Sequence, residues 1–410
     1  MAKWKSAKEH KLHAKTLEIH GGGSLYDTEL RIGVDRVAAY PLGSVGRGTK
    51  LFAGEEDGFI YSRINNRTVD KLERRLASME GAEACLATSS GMSAITLLSL
   101  YLARTRDNRK GGIVSSNRLY GGVFHLFHEI LPRLGIDVSF VGNPHDIDNW
   151  EYANYWHKIG LDPPRALRFF HLENPSNPLI DVFDVGTIAE VAHKFEVPLV
   201  VDSTLATPAL LKPLELGADF VVHSLSKYMG DGEVIGGAIL GKKDVIDDLK
   251  KTWFRDMGPC MSPDNAAIFL SHVESLSVRM TEHCRNAEKV AKFLSRHKKV
   301  KQVFYPSVGV LSKRNKSLMP KGFGGLMAFE VKGGVKAATK VVENLKLFWH
   351  APNIGESRSL VLIPWLTTHG LMSDKDKSKA GILPGVIRAS LGREDDRDLC
   401  EDLGQALAKI

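Results

Sequence analysis

The stretch that decides the fold is Phe220-Val-Val-His-Ser224-Leu-Ser226-Lys227-Tyr228. It begins as a short apolar run and ends in small hydroxyl side chains and a lysine, which predicts a buried strand followed by a polar turn. Lysine is rarely buried without a partner, and desolvation at a strand end would favour its neutral amine, the form that attacks a carbonyl in Schiff-base chemistry. The alternative interpretation is a surface lysine at a strand end.

Similar apolar runs recur on both sides of this stretch and alternate with helical segments such as residues 184–195. The predicted strands are residues 84–87, 112–114, 138–141, 167–170, 199–201, 220–222 and 237–240. This alternation predicts an α/β layer architecture with a mostly parallel sheet. In such sheets, ligands bind beyond the carboxyl ends of the strands.

Outside this region the pattern changes. The predicted elements are an amphipathic helix over 68–80 that stops at Gly81, helices over 265–277, 284–297 and 397–409, and strands over 326–331 and 386–390. We therefore predict three parts: a Gly-rich N-terminal arm over 1–60 that packs on a partner subunit, a first domain over 61–258, and a C-terminal domain over 259–410.

Composition excludes several classes of protein. An apolar fraction of 43% over 410 residues is typical of a soluble globular chain and not of a disordered one. No apolar run approaches the length of a bilayer span, and four scattered cysteines are expected of a reducing, cytoplasmic setting. The basic run at residues 296–301 is interpreted as a solvated helix end, so we expect neither nucleic-acid nor membrane partners. There is no HExxH sequence, and we expect no bound metal.

Two further strand ends carry polar residues. Ser89 and Ser90 follow a predicted strand and precede an apolar helix, where free N–H groups suit a phosphate, although either serine could simply cap the helix. Asp202 ends the strand at 199–201, where it could be a metal ligand, a nucleophile, the partner of a cationic ring or a structural residue. A phosphate site, a carboxylate and the Lys227 amine are together the parts that pyridoxal phosphate needs.

Over nearly its whole length, the chain resembles the Cys/Met-metabolism family of fold-type I pyridoxal-phosphate enzymes. The motifs that carry the resemblance are Tyr61-Ser-Arg63-Ile, Ser90-Gly91-Met92, Tyr120-Gly-Gly, Glu173-Asn-Pro-Ser-Asn177-Pro, Asp202-Ser-Thr, Ser224-Leu-Ser-Lys227-Tyr and Arg388-Ala-Ser-Leu-Gly. The resemblance implies a fold-type I transferase with a seven-stranded, mostly parallel sheet in a cofactor-binding domain and a smaller α/β C-terminal domain.

The resemblance also implies how the cofactor is held. Lys227 would form the internal aldimine and move protons, and Asp202 would keep the pyridine nitrogen protonated. The phosphate ligands implied are the backbone amides of Gly91 and Met92 and the hydroxyls of Ser224 and Ser226.

The remaining implied residues concern the partner subunit and the substrate. Tyr61 and Arg63 would reach the phosphate of a neighbouring subunit, so the chain would act as a homodimer or homotetramer with shared active sites. Tyr120 would stack on the ring and help with proton transfer. Asn177 would contact the ring oxygen of the cofactor. The substrate would be bound by Asn353 and by Arg388, the latter at the α-carboxylate.

For the reaction, the resemblance implies γ-replacement on an O-acylated homoserine, with sulfide or a related nucleophile giving homocysteine. Gly122 stands where methionine γ-lyases have a cysteine, and Asn353 with Arg358 is similar to the sulfhydrylase form. The alternatives are γ-elimination, or a cystathionine γ-synthase-like reaction on an atypical homoserine derivative. Arg67, Ile363 and Trp365 depart from the family pattern and bear on which substrate is used.

Overall fold

The computed structural model describes residues 12–22, 33–104, 110–153, 165–370 and 372–410. Much of the predicted N-terminal arm, residues 1–11 and 23–32, lies outside these ranges. The chain divides into two compact units, the first comprising Met1–Tyr101 and Val222–Leu276 and the second Leu102–Val221 and Ser277–Ile410. The predicted boundaries after residues 60 and 258 remain a prediction.

Twelve strands occur in the described residues. They are β1 Ala84–Thr88, β2 Lys110–Ser116, β3 Ile136–Val141, β4 Arg165–Glu173, β5 Leu199–Asp202, β6 Phe220–Ser224, β7 Gly237–Gly241, β8 Val300–Phe304, β9 Leu326–Val331, β10 Trp349–His350, β11 Leu360–Leu362 and β12 Val386–Ser390. They form a seven-stranded sheet, β1-β7-β6-β5-β4-β2-β3, and a five-stranded sheet, β10-β11-β12-β9-β8.

The described ranges also contain two π-helices, Leu126–Ile130 and Lys250–Phe254, a 3-10 helix, Pro213–Leu216, and a set of α-helices. The α-helices are α1 Ala14–His20, α2 Val45–Ala53, α3 Arg67–Glu80, α4 Gly91–Ala103, α5 Gly121–His125, α6 Leu131–Arg133, α7 Ile147–Ala153, α8 Val185–Lys194, α9 Thr207–Leu210, α10 Lys243–Leu249, α11 Arg255–Met257, α12 Pro263–Val273, α13 Leu276–Ser295, α14 Ser312–Leu318, α15 Gly334–Asn344, α16 Asp374–Lys379 and α17 Asp396–Leu407. Within these ranges, no helix combines the length and the apolar character needed to cross a bilayer.

The α/β prediction is confirmed. All seven predicted strands of the large sheet are present, most of them longer by one to three residues. Pairing is parallel for β2 with β3, β2 with β4, and β4 with β5, whereas β1 and β7 pair antiparallel. Every residue of β5 and β7 is buried, as expected of strands covered on both faces.

The predicted helix before β1 is also confirmed. The Asn66 side chain caps α3 by accepting hydrogen bonds from backbone amides of its first turn, and Gly81 ends the helix in the left-handed region at φ 81°. Leu72, Leu76 and Met79 lie on the buried face. The periodic apolar positions therefore determine both which segment is helical and which face packs inward.

The helices predicted over 265–277 and 284–297 were both wrong in their bounds. The predicted helix over 265–277 is instead α12, which ends at Val273, and Ser277 belongs to α13, which runs from Leu276 to Ser295. The break is a turn whose Ser275 amide donates to the His272 carbonyl. Apolar residues continue at helical spacing through this turn, so the pattern did not reveal it.

The basic run at 296–301 lies at a helix end in its first part, as predicted, but its last residues belong to a strand. Helix α13 stops at Ser295, and β8 begins at Val300, within the run. Strand β8 lies at the edge of the five-stranded sheet, and Lys301 pairs with Glu330 at 2.9 Å. Edge strands accommodate lysine readily. Strand β8 was therefore not predicted, because its basic residues look like an exposed surface segment.

Candidate active site

In the first unit, the start of α4 approaches the end of β6 closely. A Cβ built on Gly91 would lie 2.6 Å from the Ser224 Cβ and 3.0 Å from its Oγ, so only a glycine permits this approach. The Ser90 hydroxyl accepts a hydrogen bond from the Ser93 amide at 3.0 Å, so the capping interpretation is correct. Capping does not exclude an anion site, because Gly91 and Met92 lie in the first turn, where amides point away from the helix.

The turn after β6 fixes Lys227 in the first unit. The Ser226 hydroxyl donates to the Gly236 carbonyl at 3.2 Å and accepts from the Gly236 amide at 3.0 Å. Leu225 and Tyr228 are fully buried on either side of a partly buried Lys227. The backbone on both sides of the lysine is therefore anchored, and its amine extends from a defined position.

Strand β6 is also tied to α3 through a pair that the sequence analysis missed. His223 Nε2 lies 2.9 Å from Glu80 Oε2, and both side chains are at most 2% exposed. The histidine immediately precedes Ser224. The sequence signal for this pair was Glu80, which lies at the end of an otherwise apolar helix face, because a buried carboxylate needs a partner.

Tyr61 and Arg63 lie on the surface of the first unit. Tyr61 is 42% exposed, and the Arg63 guanidinium lies 5.6 Å from the centre of its ring while also donating to the Arg255 carbonyl. Arg67, which departs from the family pattern, makes specific contacts in this structure. Its guanidinium lies 5.2 Å from the Tyr40 ring and 5.7 Å from the Phe59 ring, so it packs in a cation–π cluster.

In the second unit, two carboxylates end neighbouring parallel strands. Asp202 ends β5 and pairs in register with Glu173, which ends β4. They are 8% and 4% exposed, and Asp202 Oδ1 accepts the Thr204 amide at 3.0 Å. Burial raises the pKa of the Glu173 carboxyl well above its usual range, and the charge of Asp202 acts in the same direction.

Tyr120 is held by its backbone while its ring remains 39% exposed. Its amide donates to Glu173 Oε2 at 2.7 Å. A Cβ on Gly122 would lie 2.6 Å from the Tyr120 Cε1, and a Cβ on Gly121 would lie 2.0 Å from the Thr368 carbonyl oxygen. The absence of a side chain at Gly122 therefore leaves space for the Tyr120 ring, and its absence at Gly121 leaves space for the backbone at Thr368.

Two predicted substrate residues, Arg388 and Asn353, and the predicted cofactor residue Asn177 meet in the second unit. Arg388, on β12 and 3% exposed, donates to Asn177 Oδ1 at 3.2 Å and to the Asn353 carbonyl at 3.3 Å. The Asn353 side chain in turn donates to Glu356 Oε1 at 2.6 Å. The planar fork of a guanidinium suits a carboxylate.

The unusual residues Ile363 and Trp365 are packed against their surroundings. Ile363 is buried, and the Lys377 ammonium lies 4.7 Å from the centre of the Trp365 ring. The same segment continues to His369, whose ring lies 3.4 Å from the Leu119 carbonyl, next to Tyr120. Burial lowers the pKa of His369 to about 4, so this histidine is neutral at pH 7.

Each unit by itself supplies groups that fit pyridoxal phosphate. The first unit has a helix start with a glycine that no other residue could replace, two serines and an anchored lysine. The second unit has a buried carboxylate at a strand end, an exposed aromatic ring and a buried guanidinium. In each unit, these are residue types that suit a phosphate, an imine-forming amine, a cationic ring or a carboxylate.

Comparisons with known proteins show which family this chain belongs to. Residues 15–408 match the family model described as Cys/Met metabolism PLP-dependent enzyme. An L-methionine gamma-lyase of Fusobacterium nucleatum subsp. polymorphum is 35% identical, with 97% of each chain covered. An O-acetyl-L-homoserine sulfhydrylase of Leptospira meyeri is also 35% identical, again with 97% of each chain covered.

A solved structure supports the fold and the cofactor. It is a crystal structure from Campylobacter jejuni subsp. jejuni, described as a candidate O-acetylhomoserine (thiol)-lyase with a pyridoxyl-lysine monophosphate. It matches with a TM-score of 0.89 at 32% identity, covering 97% of this chain and 100% of that one. The chain therefore belongs to the Cys/Met-metabolism family of pyridoxal-phosphate-dependent enzymes.

Proposed function

We propose that this enzyme catalyses γ-replacement on an O-acylated homoserine, with sulfide or a related nucleophile. The acyl group leaves as a carboxylate, a new carbon–sulfur bond forms at the γ-carbon, and with sulfide the product is homocysteine. The choice of replacement over elimination rests on Gly122, which stands where methionine γ-lyases have a cysteine. In this chain the Tyr120 ring occupies the space that a side chain at position 122 would need. A sulfhydrylase relative at 35% identity over nearly the whole chain supports the same choice.

When bound, pyridoxal phosphate supplies an electron sink for charge that develops at the substrate carbons. We assign Lys227 to hold the cofactor covalently and to move protons, and Asp202 to keep the ring nitrogen protonated. Buried carboxylates stabilise a neighbouring cation strongly, which suits this role for Asp202. Tyr120 would stack on the ring, and Asn177 would contact the ring oxygen.

The phosphate would be held by the amides of Gly91 and Met92 and the hydroxyls of Ser224 and Ser226. A helix N-terminus and small hydroxyls are suitable ligands for a dianion. We assign Tyr61 and Arg63 to the phosphate of a neighbouring subunit, which makes the active form a homodimer or homotetramer. The exposure of Tyr61 supports such a contact.

For the substrate, we assign Arg388 to the α-carboxylate, with Asn353 beside it. The amino-acid backbone would thus be fixed at one end by a guanidinium. A group that orients the reacting carbons can raise the rate by several orders of magnitude, because the reacting atoms are then already close together and aligned. The acyl group and the nucleophile are selected by the remaining pocket.

Gamma-elimination is the second candidate, since an L-methionine gamma-lyase is equally similar in sequence. Product analysis with O-acetylhomoserine, with and without sulfide, separates the two. Homocysteine that appears only with sulfide is the expected result, and 2-oxobutyrate at equal rates under both conditions would establish a γ-lyase instead. Protein with the Lys227→Ala substitution serves as the blank for both products.

The substitution Gly122→Ala tests the observation that carries the proposal. The added methyl would meet the Tyr120 ring at 2.6 Å, so the ring must move. We expect the kcat of γ-replacement to fall at least about tenfold, because small displacements of an orienting group have large effects on rate. We also expect a larger share of 2-oxobutyrate among the products, because the moved ring leaves space at the γ-carbon.

The matched control is Gly142→Ala, since a Cβ there would meet no atom within 4 Å. It lies in the same unit and is exposed. Both variants would be assayed for the two products and for thermal stability. An unchanged rate and product ratio in Gly122→Ala would show that the space at Gly122 does not set the reaction course.

A further inference from the structure

Glu173 occupies a position that the assigned roles leave without a function. It is buried at the end of β4, in register with Asp202 on β5. Two neighbouring carboxylates in a buried setting repel each other, so a second one is costly unless it is bonded. The charged groups that act on Glu173 are Asp202 and the Arg388 guanidinium.

The Glu173 carboxylate interacts with two separate segments of the candidate site. The Tyr120 amide donates to Oε2 at 2.7 Å, and the nearby backbone amide of Asn177 favours the charged carboxylate. Tyr120 precedes α5 in a non-helical conformation, φ −55° and ψ 136°, so its amide needs an acceptor outside that helix. Asn177 in turn accepts from Arg388 at 3.2 Å. One carboxylate thus links the ring-bearing segment to the segment that contacts the guanidinium.

We propose that Glu173 is a positioning residue, which fixes the Tyr120 ring against the cofactor and sets, through Asn177, where Arg388 meets the substrate carboxylate. The proposal rests on the roles assigned above to Tyr120 and Arg388. Glu173 itself touches neither cofactor nor substrate in this scheme. Its effect is transmitted by backbone amides, which is why its exact side-chain length and its two acceptor oxygens matter.

Glu173→Gln is the informative substitution. It keeps the volume and one acceptor oxygen, but replaces the other oxygen with an NH₂ group that cannot accept from the second amide. Because burial and Asp202 make the charged form of Glu173 costly, removing that charge should leave the fold intact. Glu173→Ala removes both acceptors, leaves the Tyr120 amide without its acceptor and serves as the severe variant.

The experiment uses the holoenzyme and compares three properties of wild type and Glu173→Gln. These are the visible circular dichroism of the bound cofactor, the equilibrium affinity for alanine as an amino acid without a leaving group, and the thermal midpoint. We expect a changed dichroism band, an affinity about tenfold weaker, which corresponds to one lost hydrogen bond, and a midpoint near that of wild type. Glu173→Ala should change the first two properties further.

The matched control is Glu330→Gln, because Glu330 is also buried, at 8% exposure, and lies on β9 with Lys301 as its partner. It should leave both the dichroism and the affinity unchanged. Wild-type dichroism and affinity in Glu173→Gln would overturn the proposal, and so would a lower midpoint with both unchanged. Neither readout requires turnover, so absence of homocysteine formation by the wild type would count against the proposed function and not against this one.

Discussion

The substitution Lys227→Ala is expected to abolish turnover, with a fall in kcat of about 10³-fold or more. The expectation rests on two functions of one amine, covalent attachment of the cofactor and proton transfer. Both need an amine in a fixed position, and the turn after β6 provides one through buried Leu225 and Tyr228 and the bonded Ser226. Homocysteine formation from O-acetylhomoserine and sulfide measures the loss.

A second measurement locates the attachment directly. Borohydride reduction of the wild-type holoenzyme, followed by peptide mapping, should place the pyridoxyl label on Lys227. Lys242→Ala is the control, because Lys242 is an exposed lysine of the same unit. A label on another lysine, or full activity in Lys227→Ala, would contradict the assignment.

The substitution Arg388→Ala should mainly weaken amino-acid binding. Loss of a buried, charged hydrogen-bonding partner costs about 3 kcal/mol, which corresponds to about a hundredfold in affinity. We therefore expect a KM about a hundredfold higher, with a smaller change in kcat. Arg388→Lys should recover only part of the affinity, because an ammonium keeps the charge but lacks the planar fork that matches a carboxylate.

Folding has to be separated from binding in this test. Arg388 is 3% exposed and bonded to Asn177 and Asn353, so its removal also affects packing. The cofactor spectrum and thermal midpoint of each variant provide that check. Arg397→Ala is the control, because Arg397 is 85% exposed and pairs with Asp395 on the surface. An unchanged KM in a folded Arg388→Ala variant would show that another cation binds the carboxylate.

Local patterns were sufficient to predict most of the fold. The strands of the large sheet and helix α3 were predicted because strands buried on both faces are continuous apolar runs and an amphipathic helix repeats every three to four residues. Patterns were insufficient where they were ambiguous. The turn between α12 and α13 interrupts no apolar repeat, and edge strand β8 carries lysines that resemble a solvated surface.

The candidate site divides in the same way. The residue types at strand ends indicated Lys227 and Asp202, because a charged group beside a buried strand requires a reason. Glu173 gave the same signal, as an acidic residue that ends a buried strand, but its function depends on which amides reach it. One of those amides belongs to Tyr120, 53 residues earlier in the chain, and the other belongs to Asn177, which follows Glu173 closely in the sequence.

The sequence by itself therefore determined the family and the α/β class, and it predicted the chemically reactive groups, because short motifs and periodicity carry this information. Only the tertiary structure decided that Gly122 leaves room for the Tyr120 ring, that Arg67 packs between two aromatic rings and that Glu173 joins two site segments. Each of these depends on distances between side chains and backbone groups after folding, and hydrogen bonds and steric contacts act over only a few ångströms.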